Sequence, residues 1–131
     1  DTLTAKNSKT ISESVCAWFT QATDRGFQCF ILSNNPSPAH VRHISEMLQI
    51  PGVAQAKKPR RRSFLQVINQ MDLTEEQILV VGDRLFTDVL GGSRLNMPTC
   101  LLDPITPRPR WPWRWVYAFE RRTVRFLDRY R

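Results

Sequence analysis

Short apolar runs alternate along the chain with stretches of helical periodicity. The runs at 27–32, 78–81 and 99–102 lie between turn-forming residues, as is typical of buried parallel strands, and a shorter run lies at 52–56. Between the runs, apolar residues recur every three or four positions, as they do in helices that bury one face. Alternating strands and helices predict an α/β fold with right-handed crossovers. We expect the three longer strands to be parallel neighbours in one sheet.

Capping and stop signals mark the ends of the helices. The stretch TISE at 10–13 fits a capping box, and Gly26 supplies a stop for the helix that follows it. A second helix opens at 37–38 with Ser-Pro, and Pro-Gly at 51–52 closes it. Apolar residues at helical spacing between Phe64 and Met71 predict a third helix. The residues at 87–95 also have a helical pattern.

Length and composition indicate a single globular domain. The chain has 131 residues and 41% of them are apolar, which suits one domain with its own core. No apolar stretch approaches the ~20 residues of a membrane span. The N-terminus has no signal-peptide pattern, so we expect a cytoplasmic protein.

Neither the cysteines nor the histidines predict a metal site. Cys16, Cys29 and Cys100 are odd in number, widely spaced and set among apolar residues, which suits small buried residues in a reducing compartment. His40 and His43 are three positions apart on the second predicted helix, and could in principle chelate a metal. Because no cysteine or carboxylate pattern lies nearby, we favour an ordinary exposed helix face.

The net charge of +7 belongs mainly to the C-terminal segment. Residues 104–131 contain eight arginines and two acidic residues, and the rest of the chain is nearly balanced apart from a basic cluster at 57–62. We therefore divide the domain into a core at 1–104 and a basic amphipathic helix, rich in Trp and Arg, at 105–131. The apolar face of this helix is predicted to contain Trp115, Val116, Phe119, Phe126, Leu127 and Tyr130.

Two interpretations of the C-terminal helix remain open. A basic helix with tryptophan at its head can lie in the interface of an anionic membrane. Alternatively, its apolar face packs on the core as an ordinary closing helix. A mixture of Arg and Trp also permits binding to RNA, although nucleic acid is the less favoured partner.

Polar residues follow the predicted strands at the edge where ligands bind in parallel sheets. Ser33 and Asn34 come directly after the first strand, Lys58 follows the short run at 52–56, and Asp83 follows the strand at 78–81. The carboxyl ends of parallel strands meet at one edge, so we expect these side chains to converge. A hydroxyl, an ammonium and a carboxylate together suit a phosphate and its metal ion.

Each of these residues also has a simpler interpretation. Ser33 can end a strand as a turn residue, and Lys58 can belong to a solvated basic loop. Asp83 and Asp88 can both serve a helix N-terminus, where acidic side chains are common. The order of the residues along the chain, more than any one of them, favours the functional interpretation.

Three segments together resemble the haloacid dehalogenase (HAD) superfamily of phosphatases. ILSNN at 31–35 resembles the second motif of the superfamily, KKP at 57–59 the third, and VVGDRLFTD at 80–88 the fourth. Their combination resembles the YqeG-type branch, which is related to mitochondrial phosphatidylglycerophosphate phosphatases. The resemblance implies a Rossmann-like, three-layer α/β/α fold with a mainly parallel sheet.

The resemblance also implies a reaction and a role for each residue. A carboxylate of the enzyme attacks the phosphorus of a monoester, and water hydrolyses the resulting aspartyl-phosphate. Ser33, Asn34 and Lys58 would bind the phosphate, with Ser33 and Lys58 contributing to catalysis. Asp83 would bind Mg²⁺, and Asp88 would support that site or cap the following helix. The implied substrate is a phosphorylated small molecule or a lipid headgroup, with phosphatidylglycerophosphate as one candidate.

The first motif of the superfamily, Asp-x-Asp-x-Thr, is not complete in this sequence. If Thr2 is the motif threonine and contacts phosphate, Asp1 occupies the variable slot before it, and both catalytic carboxylates precede the first residue. We therefore expect the first strand to be missing, and the chain by itself to be inactive and less stable than the parent domain. The alternative is a noncatalytic basic module that binds an anionic membrane or RNA.

Overall fold

The computed structural model describes most of the chain. The described residues are 2–4, 8, 10–105 and 114–128. Within the last of these ranges, the described side chains are those of residues 115, 116 and 118–123.

Within the described residues, five helices and four short strands alternate in the order that the sequence pattern predicts. A 3₁₀ turn at Glu75–Gln77 precedes β3, and a π-helical turn at Leu85–Val89 leads into α4. The elements are α1 (Glu13–Asp24), β1 (Ile31–Leu32), α2 (Pro38–Leu48), β2 (Gly52–Val53), α3 (Arg61–Met71), β3 (Val80–Gly82), α4 (Leu90–Ser93), β4 (Thr99–Leu101) and α5 (Arg114–Asp128).

The strands form two separate parallel pairs. In the first pair Ile31 lies opposite Gly52, and in the second Val81 lies opposite Cys100. Each pair joins strands that follow one another along the chain through helical crossovers, as in a βαβ unit. The α/β class and the parallel direction are therefore as predicted. The prediction that β1, β3 and β4 are neighbours in one sheet is wrong for the described residues, because β1 and β3 are not hydrogen-bonded to each other.

The strands are also shorter than the apolar runs that predict them. The run at 27–32 contributes only two residues to β1, because its partner β2 offers only two residues to pair with. Phe27, at the start of that run, is 66% exposed. An apolar run indicates which residues are buried and where turns lie. The length of a strand depends instead on how much of a partner backbone lies alongside it.

The first helix begins two residues later than the capping-box pattern suggests. Ser12 is the N-cap, and its Oγ accepts a hydrogen bond from the Val15 N–H at 3.4 Å. Thr10 lies outside the helix. In the sequence, helical spacing predicts one buried face for Val15, Trp18, Phe19 and Ala22. Trp18 is instead exposed and contacts the ring of Phe19 edge-on.

Two apolar clusters form the core: the first joins α1 to β1 and α2, and the second joins α3 to the segment between α4 and β4. Leu32 of β1 packs against the second cluster, which connects the two units. The buried members of the first cluster are Phe19, Ile31, Val41, Ile44 and Ile50, and those of the second are Phe64, Ile68, Leu95 and Met97.

The cysteines are less buried than the sequence suggests. Cys16 and Cys29 are half-buried, Cys100 is exposed, and none of the three forms a disulfide. Burial raises the pKa of the Cys29 thiol, which disfavours its nucleophilic thiolate form.

A glycine allows α4 to pack closely on α3. A Cβ at Gly91 would lie 2.4 Å from ring atoms of Phe64, which is nearly fully buried in the second cluster. Neither the rigid ring nor the packed helix can move away without disturbing the core. The position therefore requires a residue without a side chain.

We expect Gly91→Ala to lower the free energy of unfolding by about 1–3 kcal/mol, because overpacking forces shifts in side chains and backbone. Urea unfolding followed by circular dichroism measures the change. Ser93→Ala is the matched control, since Ser93 is exposed on the same helix. An exposed substitution of this kind changes stability by about 0.5 kcal/mol or less. Equal stabilities of the two variants would contradict the close packing at Gly91.

Candidate active site

The loops that follow β1 and β2 are joined by a side-chain amide. The Nδ2 of Asn34 donates to the Lys58 carbonyl at 3.1 Å, and its Oδ1 accepts from the Lys58 N–H at 2.7 Å. Both ends of this amide are therefore used to position the backbone of Lys58. The side chain of Asn34 is thus engaged with Lys58, and its role in phosphate binding stays a prediction.

Lys58 and Asp88 form a largely buried ion pair. The Nζ of Lys58 lies 2.5 Å from Oδ1 of Asp88, and the two side chains are 15% and 6% exposed. Lys58 follows β2 and Asp88 follows β3, so the pair joins the two βαβ units. The interpretation of Lys58 as part of a solvated basic loop does not describe this geometry. A charge pair removed from water in this way needs further hydrogen bonds to be stable.

Asp88 obtains the second hydrogen bond from its own loop. Its Oδ2 accepts from the Arg84 N–H at 3.1 Å, which closes the π-helical turn. The carboxylate also lies against the end of β3, where a Cβ at Gly82 would come within 2.4 Å of Asp88 Cγ. The glycine of the Gly-Asp sequence therefore makes room for Asp88. Support of the metal site by Asp88 stays a prediction, and its hydrogen bond to Arg84 goes to the turn that contains Asp88 and not to the following helix α4.

Asp83 is the half-buried carboxylate at the end of β3. Its Oδ1 accepts a hydrogen bond from the hydroxyl of Thr2 at 2.6 Å. The two residues are 81 positions apart, so this contact brings the start of the chain to the same edge. The resemblance implies phosphate binding by Thr2 and metal binding by Asp83, and these two side chains are in contact, although their roles stay predictions.

The Ser33 hydroxyl lies in the turn that follows β1. Its Oγ accepts from the Asn35 N–H at 3.1 Å, and the Ser33 N–H donates to the Val53 carbonyl at 2.9 Å. A hydroxyl that accepts in this way still has its own hydrogen to donate. Ser33 is therefore a turn residue, and the same geometry is compatible with donation to an anion.

Contacts connect the loops after β1, β2 and β3 into one edge. Asn34, next to Ser33, holds the Lys58 backbone, and the Lys58 side chain pairs with Asp88, which packs against the residue before Asp83. The structure thus brings together the loops that carry every residue proposed for the site. Their roles in binding and catalysis remain predictions.

Sequence reasoning missed the carboxylate of Glu120. This residue of α5 is only 3% exposed, and its Oε2 accepts from Nε of Arg84 at 2.8 Å. Its Oε1 accepts from the Phe86 N–H at 3.2 Å, and the neighbouring Phe119 ring stacks on Phe86 at a centroid distance of 6.0 Å. The available signal was one of only two acidic residues in the arginine-rich segment 104–131.

The donor set is compatible with a magnesium site to which these residues supply one direct ligand. Asp83 carries the hard carboxylate oxygens that Mg²⁺ prefers, one of which accepts from Thr2, and the oxygens of Asp88 accept from Lys58 and Arg84. Among the described residues, no three His, Cys, Asp or Glu side chains cluster as metal ligands. Mg²⁺ is commonly held by one or two carboxylates together with water and substrate phosphate, so a single aspartate is a suitable contribution.

Comparison with known proteins identifies the sequence family of the fourth-motif region. Residues 55–103 match the HAD-hydrolase-like family model. The chain is 36% identical over 112 residues to "Probable phosphatase YqeG" of Bacillus subtilis (strain 168), an alignment that covers 86% of the chain. The chain spans 64% of the length of that relative.

Solved structures agree at the level of the fold. A HAD phosphatase from Thermococcus onnurineus has a TM-score of 0.62 at 16% identity, covering 78% of the chain and 51% of that protein. The magnesium-bound HAD-hydrolase YfnB of Bacillus subtilis has a TM-score of 0.63 at 16% identity, covering 79% and 51%. The family-model match and the YqeG alignment show that the chain is similar in sequence to HAD hydrolases of the YqeG type, and the solved structures show that it shares their fold.

Proposed function

We propose that the protein to which these residues belong is a Mg²⁺-dependent phosphomonoester hydrolase. The observation that carries the proposal is the buried Lys58–Asp88 pair, held against the strand end from which Asp83 projects. An ammonium fixed in a largely dry site is a strong partner for a phosphoryl oxygen, because little water screens it. Phosphoryl transfer depends mainly on such placement and neutralisation of charge.

The described residues have separate tasks in this proposal. Lys58 balances the negative charge of the phosphate, and the Ser33 hydroxyl donates to a phosphoryl oxygen. Asp83 holds Mg²⁺, which supplies additional charge neutralisation at the phosphoryl group when bound. Asp88 keeps the Lys58 ammonium in place, and Thr2 orients the Asp83 carboxylate. The nucleophilic carboxylate of the aspartyl-phosphate mechanism is expected from the Asp-x-Asp part of the first motif.

We further propose a lipid headgroup phosphate as the substrate, with phosphatidylglycerophosphate as the specific candidate. The exposed part of α5 supports a surface location for the reaction. Trp115 is 73% exposed and Phe119 is 62% exposed, while Arg122 is also exposed on the same helix. Because Phe119 stacks on Phe86 in the loop after Asp83, the exposed surface of α5 is in contact with the site loop through Phe119.

The described part of α5 supports the membrane interpretation of the C-terminal helix more than the interpretation as a closing helix with a buried apolar face. Glu120 faces the core, whereas Trp115 and Phe119 remain available to a partner. Exposed aromatic and arginine side chains suit the interface of an anionic membrane, on the cytoplasmic side in this proposal. No described helix has both the length and the apolar character needed to cross a bilayer. The side chains of Phe126 and Leu127, and all of Tyr130, lie outside the described residues.

Replacing Lys58 tests the proposed site without requiring turnover. We expect the chain to bind inorganic phosphate in the presence of Mg²⁺, and Lys58→Met to weaken that binding by about 10- to 100-fold, the equivalent of one charge-assisted hydrogen bond. Isothermal titration calorimetry measures the affinity. Lys57→Met is the matched control, because Lys57 is the exposed neighbour and forms no ion pair among the described residues. We expect it to change the affinity by about twofold or less.

Folding of the Lys58 variant needs a separate check, because Asp88 would lose its cation. Circular dichroism shows whether Lys58→Met is folded, and Lys58→Arg provides a second variant that retains the charge. The Arg variant should bind more tightly than the Met variant. Equal phosphate affinity of the folded Met variant and the wild type would contradict the proposed site.

We expect residues 1–131 by themselves not to hydrolyse a generic phosphomonoester in Mg²⁺, because Asp1 does not match the nucleophile position. Asp1 lies outside the described residues. A colorimetric assay of p-nitrophenyl phosphate hydrolysis provides the measurement, with a phosphatase that carries a complete Asp-x-Asp motif as the positive control. Turnover by residues 1–131 that Asp1→Ala abolishes would show that the first motif is misaligned.

The membrane proposal is tested with vesicles. We expect the chain to bind vesicles containing anionic lipid in preference to neutral ones, with binding that weakens as salt screens the charges. Trp115→Ala should weaken co-sedimentation, whereas Trp18→Ala, an equally conservative loss of an exposed tryptophan on α1, should not. Trp115 fluorescence should shift to the blue with anionic vesicles and not with RNA. Equal binding of both variants and the wild type would exclude this helix as the membrane contact.

A further inference from the structure

Glu120 is a buried acid in a segment of otherwise basic character. Arg121 and Arg122 follow it directly, and the segment 104–131 contains eight arginines. Its side chain is 4% exposed. A carboxylate removed from water is stable only when paired and hydrogen-bonded, and Glu120 has both kinds of partner. The burial of Glu120 is therefore explained by the groups to which its carboxylate is hydrogen-bonded.

Both of its partners lie in the loop between Asp83 and Asp88. One carboxylate oxygen accepts from the Arg84 side chain and the other accepts from the Phe86 backbone N–H. Arg84 is the residue directly after Asp83, and its own N–H donates to Asp88. The loop is thus held by two carboxylates, one from within the loop and one from α5. A local π-helical turn, which this loop contains, is often found at functional sites.

Two further contacts orient α5 around Glu120. The Phe119 ring stacks on the Phe86 ring with an angle of 22° between the planes, and Arg121 forms an ion pair with Asp103 after β4. These contacts flank Glu120 on the helix. The Arg121 pair is exposed at both side chains, so it contributes little to stability. The buried Glu120 contacts are the ones that can set the position of the loop.

We propose that Glu120 is a positioning residue of the phosphatase site. It acts through Arg84 and Phe86 to fix the backbone that carries Asp83 and Asp88, and through Asp88 it influences the Lys58 ammonium. The effect of Glu120 on phosphate and Mg²⁺ binding rests on the proposed function. Its effect on the position of the loop rests on the hydrogen bonds alone. Because coupling is reciprocal, a ligand at Asp83 and Lys58 stabilises the docking of α5 in turn.

The first measurement is amide hydrogen exchange of the site loop in the full chain without ligand. In Glu120→Ala, the Phe86 and Asp88 amides should exchange about 10- to 100-fold faster, as expected from losing a hydrogen bond to a charged group. Glu120→Gln should lie between the wild type and the alanine variant, because its side-chain oxygen still accepts from Phe86. Arg121→Gln is the matched control, since it removes the adjacent exposed ion pair. It should leave the exchange of the loop within about twofold of wild type.

The second measurement separates positioning from general stability. Glu120→Gln should weaken Mg²⁺-dependent binding of inorganic phosphate by about fivefold to tenfold while melting within about 3 °C of the wild type, the small shift expected for a local change. Arg121→Gln should retain wild-type phosphate affinity. If Arg121→Gln lowers the melting temperature as much as Glu120→Gln does, and both variants keep the wild-type phosphate affinity, Glu120 only stabilises the fold.

The two proposals fail in different ways. If the wild type binds no phosphate with Mg²⁺, the proposed function is wrong. If Glu120→Ala leaves the exchange of Phe86 and Asp88 unchanged, or accelerates exchange equally across the core helices α2 and α3, the positioning role is wrong. Faster exchange confined to the site loop supports the structural part of the inference even where phosphate binding is absent.

Discussion

The buried ion pair of Lys58 and Asp88 is the interaction on which the candidate site depends. The two βαβ units have separate strand pairs, so the backbone ladder does not connect them at this edge. Leu32 connects their apolar clusters from within, and the ion pair connects their loops at the edge itself. A buried charge pair requires a defined geometry, since a displaced partner leaves an uncompensated charge. The geometry that keeps the ion pair stable therefore also fixes the positions of the loops that form the candidate site.

Several residue types in the motifs follow from that pair. Asn34 is required because one amide can both donate to and accept from the Lys58 backbone. Gly82 is required because Asp88 occupies the space of its Cβ. The Arg84 N–H satisfies the second oxygen of Asp88. Each neighbour supports the placement of two charged groups, and Asp83 is left with an oxygen hydrogen-bonded to Thr2 at the edge. The neighbouring residues therefore hold Lys58 and Asp88 in place beside Asp83, the residue proposed to bind the metal ion.

The sequence predicted the features that depend on local chemistry. Apolar periodicity identified the helices because one face of each must be buried, and the order of strands and helices indicated the α/β class. Turn-forming residues placed Ser33 and Asp83 at strand ends, because turn signals also depend on local chemistry. Strand lengths and sheet neighbours were predicted less well, because they depend on which backbone lies alongside. Thus β1 has only two paired residues, and it is not hydrogen-bonded to β3.

The sequence could not reveal contacts that join distant segments through single polar groups. The 36-residue separation of Arg84 and Glu120 leaves no periodic signal, and an acidic residue among arginines is compatible with an ordinary solvated helix. The same limit applies to Trp18, whose spacing fits a buried face although the surrounding elements leave it exposed. Patterns report the preferences of a segment, and tertiary packing determines which of its faces is covered.

The orientation of α5 about its own axis explains why a glutamate lies within a mainly basic helix. Neighbouring residues on a helix point about 100° apart. A rotation by one position would bring Arg121 instead of Glu120 toward Arg84, which would place two cations together and leave the Phe86 N–H without its acceptor. The single glutamate therefore selects one orientation of an otherwise basic helix. Because that orientation leaves Trp115 and Phe119 exposed, the contact that holds the site loop also determines which surface α5 presents to a partner.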